Sequence, residues 1–216
     1  ELINGKLMRI HKTIFSSRPD LKALNTQIQH YLVNVMEPVL TMAMQLGFEY
    51  PVETVKEIWK LMFENAAHDS IGSCVSDTTN EDVYMRYKQA RDISMNLVEL
   101  TLRQISTAIN NPQTQEITFT LFNTYDTARE GVIEAEVYLP QKTFAILDQA
   151  GNFLPYTILE LIDQTEYVLN QRNILNSVKE IYLPEKVYKA KVAIETTTVP
   201  SIGYTQLTID LKGDSS

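Results

Sequence analysis

Apolar residues recur at helical spacing through the first half of the chain and alternate through the second. Leu21, Leu24, Ile28, Leu32, Val35, Val39, Ala43 and Leu46 follow a 3.6-residue period, which predicts an amphipathic helix. Ser17-Arg18-Pro19-Asp20 supplies its start, with Ser17 as cap, Pro19 in the first turn and Asp20 at the positive end. Gly47 is a natural stop, and Pro38 should kink the rod. A second helix is predicted from about Val52 through Val55, Ile58, Trp59, Met62 and Phe63 towards His68. A third follows from Thr78 and Glu81, spaced as a capping box. Its stripe is Val83, Tyr87, Ala90, Ile93, Leu97, Leu100, Gln104 and Ala108.

The pattern changes at Asn111-Pro112. Ile117 to Phe122, Val132 to Leu139, Phe144 to Leu147, Tyr156 to Leu161, Glu166 to Leu169, Val187 to Glu195 and Tyr204 to Leu211 are short β-rich runs. Gly131, Pro140, Gly151, Pro184 and Pro200 punctuate them as turns. The expected class is α+β: a three-helix bundle followed by an antiparallel, β-sandwich-like domain, the latter incomplete. All seven Met and the single Trp precede Asn111, which sharpens the division.

Composition narrows the function. The 216 residues carry 19 Lys plus Arg against 27 Asp plus Glu, a net charge of −8. Both halves are net acidic, so neither offers the positive field a nucleic-acid backbone demands. No run reaches the roughly 18 apolar residues of a membrane span, and no signal peptide is legible at the start. The single Cys74 cannot form an internal disulfide, which fits a cytoplasmic protein. The chain opens at Glu1 without an initiator Met, and the expectation is a piece of something longer.

The densest run of reactive residue types is Asn65 to Asp77, containing His68-Asp69-Ser70-Ile71-Gly72 and Cys74. A neutral imidazole can ligate a divalent metal, and an adjacent carboxylate can accept hydrogen bonds from substrate hydroxyls. The same pair also reads as the C-terminal cap of the second helix, where an imidazole meets the last carbonyls. Cys74 with His68 could form a nucleophile and base, although a structural Cys is commoner. Ser16-Ser17-Arg18 reads either as an anion contact or as a capped first turn. His11 and His30 read as surface or packing residues, and the Met and aromatic positions, Trp59 included, as core. There is no Gly-rich phosphate loop and no Gly-x-Ser-x-Gly elbow.

The run His68-Asp69-Ser70-Ile71-Gly72, with Trp59 and Asn65 before it and Asp77 after it, resembles the His-Asp signature of glycoside hydrolase family 38, the metal-dependent retaining α-mannosidases. Glu1-Leu2, Gly5-Lys6, Met8-Arg9-Ile10-His11, Ser17-Arg18, Val33 to Pro38 and Leu46 to Tyr50 resemble its bacterial branch, which includes enzymes of mannosylglycerate hydrolysis. Phe122-Asn123, Asp148 to Gly151 and Val199 to Tyr204 resemble the opening strands of the family's C-terminal β domain. The resemblance implies that residues 1–16 end a catalytic barrel, 17–110 form a three-helix middle domain and 111–216 begin the β domain. It implies that His68 is a metal ligand, most simply to zinc, and that Asp69 binds sugar hydroxyls. The nucleophile and general acid of the implied double displacement would lie outside this chain, in the barrel. The expected substrate is an α-mannoside such as mannosylglycerate, phosphorylated or not. The expected partners are the missing barrel and the remaining β domain, and a homo-oligomer is compatible with the resemblance. This segment alone should be inactive, because a lone His cannot hold zinc. A noncatalytic carbohydrate-binding or assembly module is the alternative.

Overall fold

The structure, a computed structural model, describes residues 12–109, 117–175 and 185–212. Two compact units divide the chain, Glu1–Asn110 and Asn111–Ser216. The first is helical and the second is built on antiparallel sheets, which is the α+β class. Among the described residues no helix is long and apolar enough to cross a membrane.

In the helical unit a 3-10 turn over Lys12–Phe15 leads into α1, Pro19–Tyr31. Ser17 does not cap α1. Arg18 occupies that position in a left-handed conformation (φ 43°), and no side chain caps the helix. The Ser17 hydroxyl turns instead to the carbonyls of Ile14 (3.1 Å) and Gly72 (2.7 Å). Between α1 and α2, Glu37–Gln45, the chain widens into a π turn over Leu32–Met36. Pro38 brings no N–H to the ladder, and the π turn just before it takes up the break. The extra residue shifts the helical phase, so Met36 is buried while Val35 is only half-buried. Gly47 ends α2 at φ +92°, where Phe48 N–H bonds back to the Ala43 carbonyl (3.1 Å).

The remaining helices are α3, Val52–Asn65, the short α4, His68–Gly72, and the long α5, Asp77–Ala108. Ser76, not Thr78, caps α5, accepting the Thr79 N–H at 3.2 Å. The N-terminal signal therefore sits two residues upstream of the expected capping box. Leu21, Ile28, Leu32, Met36, Leu40, Ile58, Met62, Val83, Tyr87 and Ile105 are among the residues buried between these helices. Along α5 the buried face beyond Ala90 runs through Ser94, Val98, Thr101 and Ile105, leaving Ile93 and Leu100 exposed. Small hydroxylated residues are tolerated inside because each bonds within its own helix, Ser94 to the Arg91 carbonyl (2.8 Å) and Thr101 to that of Leu97 (2.7 Å).

The second unit contains β1 (Ile117–Asn123), β2 (Arg129–Leu139), β3 (Ala145–Leu147), β4 (Tyr156–Asp163), α6 (Thr165–Leu175), β5 (Tyr188–Val199) and β6 (Gly203–Asp210). The strands pair antiparallel in two sheets, ordered β1-β6-β3 and β2-β5-β4. Alternate residues Ala190, Val192 and Ile194 of β5 join Val137, Leu139, Ile146, Leu207 and Ile209 in one core fed by both sheets. On the outer face, Lys189–Glu136 (2.8 Å) and Lys191–Glu134 (2.7 Å) pair across β2 and β5.

Two expectations are corrected here. Glu166 to Leu169 lies in α6 and not in a strand, because the Asp163 carboxylate accepts the Thr165 N–H (3.0 Å) and Gln164 starts the helical ladder. Gly131 is not a turn residue but sits inside β2 at φ +146°, where the register with β5 shifts. Gly151 does turn the chain (φ +83°), next to Asp148, which accepts from the backbone N–H groups of Ala150 and Asn152. The Asn152 side chain and these N–H groups hold the Asp148 carboxyl below its usual range. Pro184 lies outside the described residues.

Candidate active-site segment

The stretch from Asn65 to Ser76 connects α3 to α5. Asn65, the last residue of α3, is fully buried and continues the stripe of Val55, Ile58 and Met62. Its side-chain amide donates to the Val83 carbonyl (2.9 Å) and its oxygen accepts from Arg86 Nε (2.6 Å). After Ala66 and Ala67 the chain re-enters helix at His68. The helix-end reading of His68 is therefore corrected: His68 opens α4, with Asp69 in the same first turn, where a carboxylate is favoured by the unpaired N–H groups. Ser73 closes α4 in a left-handed conformation (φ 59°), and Cys74 N–H returns to the Asp69 carbonyl (3.2 Å).

The two side chains project from this short helix into solvent. His68 is 94% exposed, and its Nε2 lies 3.3 Å from Asp69 Oδ1. The same carboxylate oxygen accepts the Cys74 thiol at 3.2 Å. That hydrogen bond, with desolvation and the charge of Asp69 acting in the same sense, raises the thiol pKa. Cys74 thus lacks the electropositive surroundings of a nucleophile and donates to Asp69, not to His68.

Among the described residues no group of three or more His, Cys, Asp and Glu could hold a metal ion. An exposed imidazole beside a carboxylate fits one corner of a site completed from elsewhere, and does not make a site by itself. The other sequence-level candidates resolve structurally. Arg18 pairs with a carboxylate, that of Asp20 in the first turn of α1 (2.8 Å). His30 faces Asn34 (3.2 Å) on the helix surface. Trp59 is half-buried, donating to Glu37 Oε1 (2.9 Å) and stacking on the exposed Phe63 (centroids 5.7 Å apart). His11 lies outside the described residues.

In the sheet unit, Asn123 is buried at the end of β1. It donates to the carbonyls of Thr127, Pro200 and Val199 and accepts the Tyr125 N–H. It borders a cavity of about 330 Å³ lined also by Tyr125, Arg129, Gly131 and Thr196. The supporting contacts of Ser17, Asn65 and Arg86 escaped the sequence reading. Asn65 alone carried a signal, as a polar residue on an apolar stripe.

Residues 9–105 match the family model described as the alpha mannosidase middle domain. A Halalkalibacterium halodurans protein named as a mannosylglycerate hydrolase is 25% identical over 135 residues, covering 62% of this chain and 15% of that protein. A crystal structure described as an alpha-mannosidase from Enterococcus faecalis V583 superimposes with a TM-score of 0.71 at 23% identity, over 94% of this chain and 24% of that one. A second Enterococcus faecalis structure, of a protein in glycosyl hydrolase family 38, gives a TM-score of 0.73 at 22% identity, over 94% and 26%. The chain thus spans about a quarter or less of the length of these relatives.

Proposed function

We propose that the chain, whose residues 9–105 match the family model of the alpha mannosidase middle domain, is one part of a metal-dependent retaining α-mannosidase. In this reading residues 1–16 end the catalytic barrel, 17–110 are a three-helix middle domain and 111–216 begin a β-sandwich. The observation that carries it is the His68-Asp69 pair, presented to solvent at the start of α4 within the matched segment. His68 serves as a ligand to a divalent metal, zinc being the simplest choice for an imidazole. Asp69 receives hydrogen bonds from sugar hydroxyls. The metal, when bound, supplies electrostatic grip on the hydroxyls of a distorted sugar. This chain contributes placement: it holds an imidazole and a carboxylate in a shared first turn and aims both away from its own core.

The substrate is an α-mannoside, and mannosylglycerate is the first to test because a relative carries that name. The protein works in the cytoplasm, as the single unpaired Cys74 suggests. The test is hydrolysis of an aryl α-mannoside and of mannosylglycerate by the full-length protein, wild type against His68→Ala, each with and without a chelator. Turnover that is lost on chelation and on substitution supports the reading. Turnover that survives both refutes the metal role of His68. A folded wild type inactive on both substrates with added metal favours a noncatalytic carbohydrate-binding module.

A further inference from the structure

We infer that Ser17, Asn65 and Arg86 are positioning residues that clamp α4 at both ends and so fix where His68 and Asp69 stand. The inference rests on the reading of His68 as a metal ligand. A five-residue helix cannot hold itself in water, so the geometry of His68–Gly72 must come from its surroundings. Its two reactive side chains are exposed and bring little packing of their own. Their placement is therefore set by the backbone on either side.

On the entry side, Asn65 ties the end of α3 to α5 three residues before His68. Its amide reaches the Val83 carbonyl at 2.9 Å, and Arg86, less than one turn further along α5, reaches its oxygen at 2.6 Å. An apolar residue would have continued the buried stripe of α3 without the desolvation cost of an amide. An amide with both ends bonded fixes direction as well as proximity. On the exit side, Ser17 donates to the carbonyl of Gly72, the last residue of α4, at 2.7 Å. Ile14 closes over the same residue, so tightly that a Cβ on Gly72 would come within 3.3 Å of Ile14 Cγ2. Between the clamps, Ile71 N–H bonds to Ala67, Ser73 N–H to Ser70 and Cys74 N–H to Asp69. A ligand on so short an element depends on such supports, whose loss typically weakens metal binding tenfold or more.

The experiment measures zinc affinity of the full-length protein by competition with a fluorescent chelator, together with amide hydrogen exchange at Ile71, Ser73 and Cys74. The variants are Ser17→Ala, Asn65→Leu and Arg86→Gln, with His68→Ala as the reference for losing the ligand itself. The expected result is a loss of zinc affinity of about tenfold and faster exchange confined to 71–74, each variant being compared below its own melting transition. Asn65→Leu is the sharper variant, since it keeps the stripe apolar while removing both hydrogen bonds. Should it fail to fold, Ser17→Ala and Arg86→Gln decide, because both sit at partly exposed positions. If His68→Ala weakens zinc binding while these variants match wild type, the clamp is overturned and the ligand reading stands. If His68→Ala itself leaves zinc binding unchanged, the ligand reading falls and the clamp falls with it.

Discussion

Asn123 offers a demanding test of how the sheet unit is held. Its side chain is 6% exposed and lies between the Tyr125 to Thr127 loop and the Val199-Pro200 turn. The amide has two protons and three carbonyl acceptors, at 2.9 Å (Thr127), 3.0 Å (Pro200) and 3.3 Å (Val199). Two of these count as full bonds, and the Tyr125 N–H donated to Oδ1 at 3.0 Å makes a third. At about 1 kcal/mol each, Asn123→Ala should lose about 3 kcal/mol, less whatever water recovers at the exposed loop. Asn123→Asp has nearly the same shape and should be worse at neutral pH, because a carboxylate would face carbonyl oxygens where donors stood. Burial and those carbonyls would raise its folded-state pKa above the unfolded value of about 3.9. The folded state then binds the extra proton, so the variant loses stability as pH rises from about 4 through the raised folded-state pKa, and recovers it below about 4. Native-state hydrogen exchange of the β5 and β6 amides, at pH 7 and at pH 4, reads both effects. An Asn123→Asp protein within 0.5 kcal/mol of wild type at pH 7, or one indifferent to pH, would refute the argument.

Three shorter tests address the helical unit. Burial pushes the Tyr87 phenol up to about 12, so the folded state keeps its proton after an unfolded tyrosine has lost it near pH 10. Stability should fall as pH rises from about 10 to 12, by a few kcal/mol at most, and a Tyr87→Phe protein, lacking the bond to Asn25, should show none of that decline in urea titrations. Ser76→Ala should cost about 1 kcal/mol in thermal unfolding and Thr78→Ala only a few tenths, since Ser76 caps α5. Cys74 should react with iodoacetamide more slowly than a free thiol at pH 8, and Asp69→Asn should speed it, because Asp69 holds the thiol protonated. Equal rates would disprove that contact.

The halves of this chain are legible because each buries one face of a regular element, and the period of that face is written in the residues. Leu21, Ile28 and Leu32, and likewise Val83, Tyr87 and Ala90, are buried as their spacing requires. Legibility fails where geometry changes without an apolar marker. The π turn before Pro38 adds a residue and moves the core position from Val35 to Met36. In α5 the eye follows Ile93 and Leu100, but Ser94 and Thr101 satisfy their hydroxyls locally and take the interior. Tyr167 and Leu169 look like strand residues, and only the Asp163 contact to Thr165 reveals a helix start. The candidate pair is legible as residue types, since His68 and Asp69 stand in the run richest in reactive side chains. Their position at the start of a separate helix is not, because the two alanines that break α3 carry no strong stop signal.

Each unit ends an element with a buried asparagine, and the two differ in a way that can be measured. Asn65 closes α3 and bonds twice to α5, whereas Asn123 closes β1 and bonds to two other segments, and neither side chain adds charge. Aspartate at either place sacrifices the amide donors. At Asn65, however, the oxygen already faces the Arg86 guanidinium at 2.6 Å, so a carboxylate would gain a charged partner while losing one bond to Val83. At Asn123 the lost donors faced carbonyls, and no hydrogen bond of that side chain involves a cation among the described residues. The Arg86 bond is already charge-assisted through its guanidinium, and a carboxylate would turn it into an ion pair that offsets part of the loss at Asn65. Asn65→Asp should therefore cost about 1 kcal/mol at pH 7, well below Asn123→Asp. Burial raises the carboxyl pKa there too, but the guanidinium in direct contact outweighs it, so stability should also fall as pH drops below about 4. The opposite pH slopes of the two variants, followed by hydrogen exchange in each unit, test whether Arg86 or the carbonyl environment governs each amide. Parallel slopes would mean that the hydrogen-bond partners assigned to one of them are wrong.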